Sequence, residues 1–430
     1  MKYKFLIFKI KSVCYDSTFY LADLYGRTLE EMGHEVEYFC TDSEPLTNME
    51  RYEGVHFDAM LDFNSLLPNL DTDEGDLFLD RIDAPFYDYI LDHPLYHNKQ
   101  LKAQLRRFHV ICLDDEHADY IRRYYPHIKS VSVLPLCGLP FLAGSEGYQV
   151  SKLYQSGAIE TLDFTHRSIN EIPKSRDIIF TGTFSDSNII YKKICTFDQP
   201  FSDEMKRLCE LLLAEPSMNF ETAMLRLAGE QDLSASLGKT GTGSDKGLEN
   251  GINIPDRLYT FFMVDMFVKS YFRERVLESV LQTGRKLAVY GGMWDLWDTK
   301  YASQLEIHDM VPFKDSPRVL ASAKIAVNVM PWFKSGIHDR VLTAMRSGAV
   351  SLTDTSKMLS RCFTDGKELL TYELEHLDLI PEKLERYLSD HAALEQLSVG
   401  GQAAVEASHT EKARCMRLCE IIGLTGDGYC

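Results

Sequence analysis

The sequence predicts an α/β protein made of two doubly wound domains facing a cleft, with a helical insertion in the second domain. Three observations support this prediction. The chain has 430 residues, more than one ordinary core accommodates. Its first third alternates short apolar runs with amphipathic segments, as βαβ units do. A second series of the same kind starts near residue 177, after an irregular connection.

The first domain is predicted to span residues 1–140. Residues 3–10 form an apolar run typical of a strand covered on both faces, and too short for the core of a signal peptide. Residues 19–32 repeat apolar side chains at helical spacing, Gly33 ends that helix, and residues 35–40 begin the second strand. This order implies a parallel sheet. Further strands are expected at residues 57–63, 86–91, 110–113 and 130–134.

Residues 141–175 are predicted to connect the domains, and the second domain to span residues 176–385. A mostly helical insertion is expected at about 196–270, and a helical tail at 386–430. The other predicted elements are strands at 177–180, 286–290, 324–330 and 350–352, and helices at 267–282, 317–323 and 338–347.

Charge and cysteine content narrow the class of protein. With 46 Lys and Arg against 64 Asp and Glu, the formal charge is −18, which opposes sequence-independent binding to nucleic acid. The ten cysteines are scattered without a CxxC pair, as expected for reduced thiols. No apolar stretch reaches the ~20 residues that span a bilayer. We therefore expect a cytoplasmic protein; the basic, aromatic run 121–129 leaves peripheral membrane contact open, although such runs are more often solvated helix ends.

The strongest functional signal lies in residues 315–354, which are predicted to form a helix, strand, loop, helix and strand. Ligands of open α/β sheets bind at the carboxyl ends of strands, where the loop 331–337 is placed. Gly336 permits a close backbone approach, and the following helix presents free N–H groups to a diphosphate. By contrast, Gly238-Lys239-Thr240 lacks the earlier glycine of a phosphate loop and is interpreted as loop.

Residues 315–375 resemble the carboxyl-terminal domain of GT-B glycosyltransferases. The similarity is greatest to the CgeB-like (spore-maturation-type) group and to the glycosyl transferases group 1 family. The residues that carry it are Asp339-Arg340-Val341, Ala344-Met345, Gly348-Ala349, Leu352-Thr353-Asp354 and Gly366-Lys367-Glu368. Weaker agreement covers Gly33-His34-Glu35-Val36, Phe180-Thr181-Gly182-Thr183 and Gly291-Gly292-Met293-Trp294.

The resemblance implies two Rossmann-like domains and transfer of a sugar from a nucleotide-sugar donor to an unidentified acceptor: a glycan, a protein or a lipid. It places the diphosphate between the glycine turn after the first strand of the second domain and the start of the helix at 338–347. No cofactor and no metal are expected, because GT-B sites usually rely on helix ends and basic side chains. The donor contacts that it implies are Gly182, Thr183, Gly292, Trp294, Pro312, Gly336, His338, Asp339, Arg340 and Thr343.

Three features depart from the family pattern, one of which is that the loop 11–17 of the first domain has no glycine. Retaining members usually have two glutamates eight residues apart, and here those positions are Ser335 and Thr343. Asp339, one helical turn earlier, is then the candidate to accept a hydrogen bond from the ribose. The basic pair that often follows the glycine turn is also not found directly after Thr183.

Asp92 and His93 are the predicted catalytic residues, because they follow a strand where related enzymes often carry a functional histidine. His93 is expected to contact the donor sugar or phosphate, or to act as base if the enzyme inverts. An equally consistent interpretation is a histidine that caps the loop before Pro94.

Two alternatives remain open for the function. The missing acidic pair is consistent with a catalytically silent GT-B-like protein that binds a nucleotide or serves as a scaffold. A sugar-nucleotide epimerase on the same fold would need several acid and base side chains, and the sequence does not bring these together.

Overall fold

A computed structural model describes residues 2–10, 16–141, 149–151, 159–161, 166, 168–230, 248–249 and 252–424. The chain divides into two compact units. The first consists of Met1–Cys137, Pro312–Lys314 and His409–Cys430, and the second of Gly138–Val311 and Asp315–Ser408. Each unit contains a six-stranded parallel sheet with flanking helices, which confirms the two Rossmann-like domains that the sequence predicts.

The first unit has the strand order β2-β1-β3-β4-β5-β6. All five strand pairs are parallel, as the βαβ pattern predicts. The strands are β1 (Lys4–Lys9), β2 (Glu35–Cys40), β3 (Ala59–Phe63), β4 (Phe86–Ile90), β5 (Phe108–Cys112) and β6 (Ser130–Val133). The helices are α1 (Ser17–Glu31), α2 (Asn98–Leu101) and α3 (Asp115–Tyr124).

The second unit has the strand order β9-β8-β7-β10-β11-β12, again with parallel pairs throughout. Its strands are β7 (Arg176–Thr181), β8 (Leu287–Tyr290), β9 (Leu305–His308), β10 (Ala323–Val327), β11 (Val350–Asp354) and β12 (Leu370–Tyr372). Two short antiparallel ladders, Gln149–Ser151 with Ile159–Thr161 and Leu248–Glu249 with Ile252–Asn253, lie outside this sheet.

The helices of the second unit cover both faces of its sheet. They are α4 (Ser187–Ile194), α5 (Phe201–Ala214), α6 (Phe220–Glu230), α7 (Ile254–Thr260), α8 (Phe262–Leu281), α9 (Ser316–Ala321), α10 (Asp339–Arg346), α11 (Lys357–Cys362), α12 (Ile380–Ser389) and α13 (His391–Ser408). Residues of one strand alternate between two apolar clusters: Ile178 and Phe180 belong to one, and Ile179 to the other. This two-sided burial explains why the strand sequences are continuously apolar.

The insertion predicted at about 196–270 forms α5, α6, α7 and the start of α8. Most of the Gly/Ser/Asn-rich loop at 234–253, including Gly238-Lys239-Thr240, lies outside the described residues. Strand β9 was not expected from the sequence, because four residues with one charged and one histidine side chain give little apolar signal.

The predicted separate tail at 386–430 needs correction, since it divides between the units. Helix α13 belongs to the second unit, where a Cβ on Gly401 would lie 2.4 Å from the carbonyl oxygen of Glu368. The last helix, α14 (Glu411–Ile422), belongs to the first unit. It packs on α1, and the Cys415 thiol donates to the carbonyl oxygen of Tyr25.

Among the described residues, no helix is both long and apolar enough to cross a lipid bilayer. The eight cysteines in this part of the chain are free thiols.

Candidate functional site

The strand order of the second unit reverses at β7, which pairs with β8 on one side and with β10 on the other. In doubly wound sheets, the crevice beyond the carboxyl ends of the strands at such a point is the usual ligand site. The predicted donor residues follow three of these strands. Gly182 and Thr183 follow β7, Gly292 and Trp294 follow β8, and Gly336 lies in the loop after β10.

The backbones of the loops after β7 and β8 are in direct contact, and two glycines permit this close approach. Gly182 has φ 148° and Gly291 has φ 151°, values that favour glycine. A Cβ on Gly291 would lie 2.2 Å from the carbonyl oxygen of Gly182. Backbone hydrogen bonds from Gly182 N to Tyr290 O (2.8 Å) and from Phe184 N to Gly292 O (3.0 Å) hold the two loops together. The glycine turn is therefore a rigid platform.

Trp294 has a structural position in this platform. Its side chain is 1% exposed and packs edge-on against Phe180, with ring centroids 5.6 Å apart. Its indole N–H donates to the carbonyl oxygen of Gly182 at 2.8 Å. Trp294 therefore supports the turn from the core, instead of presenting its ring to a ligand as the resemblance implied.

Arg340 lies beside the glycine turn, as expected from the sequence. A Cβ on Gly182 would be 3.7 Å from Nη2 of Arg340, and the guanidinium lies 5.5 Å from the centroid of the Phe180 ring. Its Nη1 donates to Oδ1 of Asn328 at 3.2 Å. Because Asn328 is 1% exposed, the arginine is held by a buried partner at the end of β10.

Arg273, on helix α8, brings a second guanidinium to the same turn. Its Nη1 donates to the carbonyl oxygen of Thr183 at 2.5 Å, and its guanidinium lies 5.7 Å from the centroid of the Phe180 ring. The sequence has no basic pair directly after Thr183, and Arg273 was not predicted to take its place. The two residues are 90 positions apart because the helical insertion lies between them. Their contact depends on how α8 packs on the sheet, which the sequence does not show.

His338 and Asp339 begin helix α10. Nδ1 of His338 accepts from the backbone N–H of Arg340 at 3.1 Å, which caps the helix, and it lies 2.9 Å from Oδ1 of Asp339. One nitrogen cannot accept from Arg340 and donate to Asp339 at once. Burial raises the pKa of Asp339, but the imidazole of His338 and the guanidinium of Arg340 outweigh burial and keep it below its usual value. The guanidinium of Arg340 and the ring of His338 therefore favour the charged form of Asp339.

Two other predicted donor contacts are buried. Thr343 is 1% exposed, and its Oγ1 accepts from the backbone N–H of Leu139 at 3.1 Å. The carbonyl oxygen of Gly336 accepts from the Ser356 hydroxyl at 2.6 Å. Thr343 is therefore not exposed to a ligand, whereas Asp339, one turn earlier on the helix, retains 14% side-chain exposure.

A buried network of hydrogen bonds holds Asn328, the partner of Arg340, in place. Nδ2 of Asn328 donates to Oγ1 of Thr353 at 2.9 Å, and the Tyr372 hydroxyl donates to the carbonyl oxygen of Asn328 at 2.7 Å. Oδ1 of Asp354 accepts from the backbone N–H of Met330 at 2.8 Å. Burial raises the pKa of Asp354 to about 6. The network fixes the ends of β10 and β11, where the loop 331–337 begins.

The insertion contacts this loop. Nζ of Lys334 donates to the carbonyl oxygen of Pro216, in the turn between α5 and α6. On α8, Nζ of Lys269 lies 4.9 Å from the centroid of the Trp332 ring and pairs with Asp265 at 2.7 Å. The insertion therefore contacts the loop 331–337 at the candidate site.

Asp92 and His93 lie in the first unit, as does Pro312, whereas the other predicted donor residues belong to the second. His93 is 8% exposed, and its Nδ1 accepts from the backbone N–H of Leu95 at 3.1 Å. A backbone N–H can only donate, so a neutral His93 carries its proton on Nε2. Asp92 accepts from Nδ2 of Asn64 at 2.9 Å. The capping interpretation of His93 is what the geometry shows.

Comparison with known proteins adds a family match to this geometry. Residues 273–420 match the family model described as "Glycosyl transferase-like". The matched range begins at Arg273 and contains Arg340. This range of the chain is therefore similar to that family. A search of curated proteins found no match to the sequence.

Solved structures of similar fold include three glycosyltransferase-fold proteins, each with a TM-score of 0.50. Sucrose-phosphate synthase from Thermosynechococcus elongatus is 10% identical, with 98% of each chain covered. A glycosyltransferase from Rickettsia africae is 8% identical with the same coverage. HepE from Anabaena, solved in complex with UDP and glucose, is 10% identical, with 98% of this chain and 100% of that chain covered. At these identities the similarity establishes the GT-B fold.

Proposed function

We propose that the protein is a glycosyltransferase that moves a sugar from a nucleotide-sugar donor to an acceptor that is a glycan, a protein or a lipid. The observation that carries the proposal is the convergence of Arg273 and Arg340 on the glycine turn at Gly182 and Thr183. Two guanidinium groups beside a rigid turn at a switch point suit a diphosphate, because their planar donors match phosphate oxygens. The match of residues 273–420 to the glycosyl transferase-like model supports the same conclusion.

In the proposed reaction, the bond between the anomeric carbon and the β-phosphate oxygen breaks, and a bond from that carbon to an acceptor oxygen forms. The acceptor loses a proton, and a nucleoside diphosphate leaves. Negative charge develops on the leaving phosphate oxygen, so stabilising it is the main catalytic task. Arg273 and Arg340 supply positive charge there, and the amino end of α10 adds backbone N–H groups.

Several finer assignments belong to this proposal. The arginine pair is proposed to neutralise the diphosphate without a divalent metal, so activity should persist in EDTA. Asp339 is the proposed acceptor for a ribose hydroxyl, because it is the accessible carboxylate at the start of α10. We also assign the chain to the CgeB-like group and to the cytoplasm, with a hexose or a related sugar as the transferred group.

The donor site is tested by calorimetric titration with UDP, GDP, ADP and TDP and with their common sugars. UDP is the first probe, because HepE was solved with UDP and glucose. Arg273→Ala and Arg340→Ala should each weaken binding. Arg275→Ala is a matched control, since Arg275 lies on the same helix, is half-exposed and pairs with Glu278. Absence of binding in the wild type, or equal loss in the control, would contradict the donor site.

Catalysis needs a separate measurement. A donor labelled in the sugar is incubated with the protein and a lysate, and label is followed into water and into acceptors. Transfer that Arg340→Ala abolishes supports the enzyme. Tight nucleotide binding without release of the sugar would instead indicate a silent nucleotide-binding protein.

A further inference from the structure

Helix α8 contacts the segment between β7 and α4 at two places, through two consecutive residues. Nη1 of Arg273 donates to the carbonyl oxygen of Thr183, at the start of this segment. The carboxylate of Glu274 accepts from Ser187, the first residue of α4: one oxygen lies 2.7 Å from the backbone nitrogen and the other 2.9 Å from Oγ. The segment from Thr183 to Ser187 is therefore attached to α8 at both ends.

The pair formed by Glu274 and Ser187 lies away from bulk water. Ser187 is 3% exposed and Glu274 is half-buried. Burial raises the pKa of Glu274, and the two hydrogen bonds from Ser187 oppose this rise without cancelling it. Hydrogen bonds to a carboxylate are among the stronger ones in proteins, and loss of one partner leaves the other unsatisfied. The pair therefore fixes α8 to the start of α4.

The middle of the segment is held by the core of the second unit. Phe184 is 4% exposed, and its ring centroid lies 5.4 Å from that of Trp294 and 5.9 Å from that of Trp297. Its backbone N–H donates to the carbonyl oxygen of Gly292 at 3.0 Å. Because the segment is fixed to the sheet in this way, any shift of α8 would move the guanidinium of Arg273 relative to the glycine turn.

Carboxylates occupy the amino end of α4. Asp186 accepts from the backbone N–H groups of Asn188 and Ile189 at 2.8 and 3.2 Å, and Glu274 accepts from that of Ser187. In doubly wound sheets, the helix after the first strand often presents these N–H groups to a phosphate. Here two carboxylates take them, and their negative charge would repel a phosphate from this helix end. Positive charge on the β7 side of the site therefore has to come from side chains.

We infer that Glu274 is a positioning residue, which holds Arg273 against the glycine turn by binding Ser187. The inference rests on the proposed function, because it needs a diphosphate that Arg273 contacts. Glu274 binds the far end of the segment from Thr183, so it acts on the donor through its neighbour on α8. An arginine that is already held in place is not ordered at the expense of affinity when the ligand binds.

Glu274→Ala removes both hydrogen bonds to Ser187 and leaves Arg273 in the chain. Affinity for UDP and for inorganic pyrophosphate should each fall by about three- to tenfold, the cost of ordering one long side chain on binding. Glu274→Gln should keep both affinities within about twofold of the wild type. Its amide oxygen can accept from the backbone N–H of Ser187, and its amide nitrogen can donate to the hydroxyl. Calorimetric titration measures both ligands.

A double-mutant cycle with Arg273→Ala separates positioning from a general loss of structure. In the Arg273→Ala background, Glu274→Ala should change affinity by less than about twofold, because no guanidinium is left to position. Glu278→Ala is the control, since Glu278 lies one turn later on α8 and pairs with Arg275; it should leave both affinities unchanged. If Glu274→Ala does not fold, Ser187→Ala removes the hydroxyl alone and should show the same coupling with a smaller loss.

Two results would overturn the inference while the donor site stands. One is unchanged affinity in Glu274→Ala, whatever its melting temperature, because the pair would then only stabilise the fold. The other is an equal loss of affinity on Glu274→Ala in the wild-type and Arg273→Ala backgrounds, because the effect would then not pass through Arg273. A wild type that binds neither UDP nor pyrophosphate would overturn both the inference and the proposed function.

Discussion

Nη1 of Arg273 lies 2.5 Å from the carbonyl oxygen of Thr183, although 90 residues separate them along the chain. The contact fixes a guanidinium of α8 at the end of β7, next to Gly182. Arg340 reaches the same glycine from α10. Neither arginine comes directly after the glycine turn in the sequence. Together they supply the paired positive charge that a diphosphate requires.

The two arginines should act on one ligand group, and their effects should therefore be coupled. Arg273→Ala and Arg340→Ala are each expected to cost about 1.5–3 kcal/mol of UDP binding, the usual range for charge-assisted hydrogen bonds. The double variant should lose less than the sum, because the second removal acts on a diphosphate that is already displaced. Calorimetry on the four proteins of the cycle measures this coupling. Strict additivity would mean that the arginines contact separate groups.

Asn328 is predicted to position Arg340. Asn328→Asp keeps the shape of the side chain but places a carboxylate against the guanidinium, which would then pair inward and neutralise part of the site. We expect UDP affinity to fall by about tenfold or more, in line with the cost of a misplaced charged partner. Thr353→Val, which removes the other partner of Asn328, should lower the melting temperature with a smaller effect on affinity. Equal affinity in Asn328→Asp and the wild type would exclude the positioning role.

Local pattern was sufficient to predict most of the fold. Strands β1, β7 and β10 are continuous apolar runs because helices cover both faces of each sheet, and Gly33 ends α1 with positive φ. Arg340 could be placed from its position near the start of α10, since a helix after a parallel strand begins at the carboxyl edge of the sheet. Such features depend on neighbours within a few residues, which a sequence displays directly.

The incorrect or missing assignments depend on distant residues. Helical spacing puts Thr343 on the polar side of α10. In the structure, the backbone N–H of Leu139, from the start of the second unit, donates to the Thr343 hydroxyl and the threonine is buried. Trp294 could be placed near the glycine turn, but not on its core side, because that depends on packing with Phe180. The contact of Arg273 with the glycine turn could not be predicted, because the insertion places 90 residues between Arg273 and Thr183.

A buried pair of carboxyl groups should make stability depend on pH. Asp62 of β3 and Asp88 of β4 are register partners, and they are 2% and 0% exposed. Burial raises the pKa of Asp62 to about 7, even though Ser65 and the backbone of Phe63 donate to it. Burial and the neighbouring Asp62 raise the pKa of Asp88 well above its usual value. Both carboxyls therefore favour the protonated form in the folded state.

The sign of the effect follows from proton binding. Between about pH 4, where unfolded aspartate titrates, and about pH 7, the folded state holds more protons than the unfolded state. Stability is thus greatest at the acidic end of this window and falls as pH rises through it. Asp62→Asn should flatten that fall and raise the melting temperature at pH 8 relative to the wild type. Asp73→Asn, at an exposed carboxyl of the same unit, is the control. A fall of equal slope in Asp62→Asn and the wild type would contradict the pair's role.

The last prediction concerns His93, for which the sequence predicted a catalytic role and the structure shows a capping role. Because Nδ1 accepts from Leu95 N, the neutral ring presents Nε2–H and can donate a hydrogen bond but not accept a proton there. His93→Asn retains an acceptor for Leu95 and removes that donor. We expect kcat and the acidic limb of the pH profile to be unchanged, because the ring caps the loop before Pro94. Loss of a limb with a midpoint near pH 6.5, the usual value for histidine, would instead identify His93 as a general base and require its ring to leave the cap.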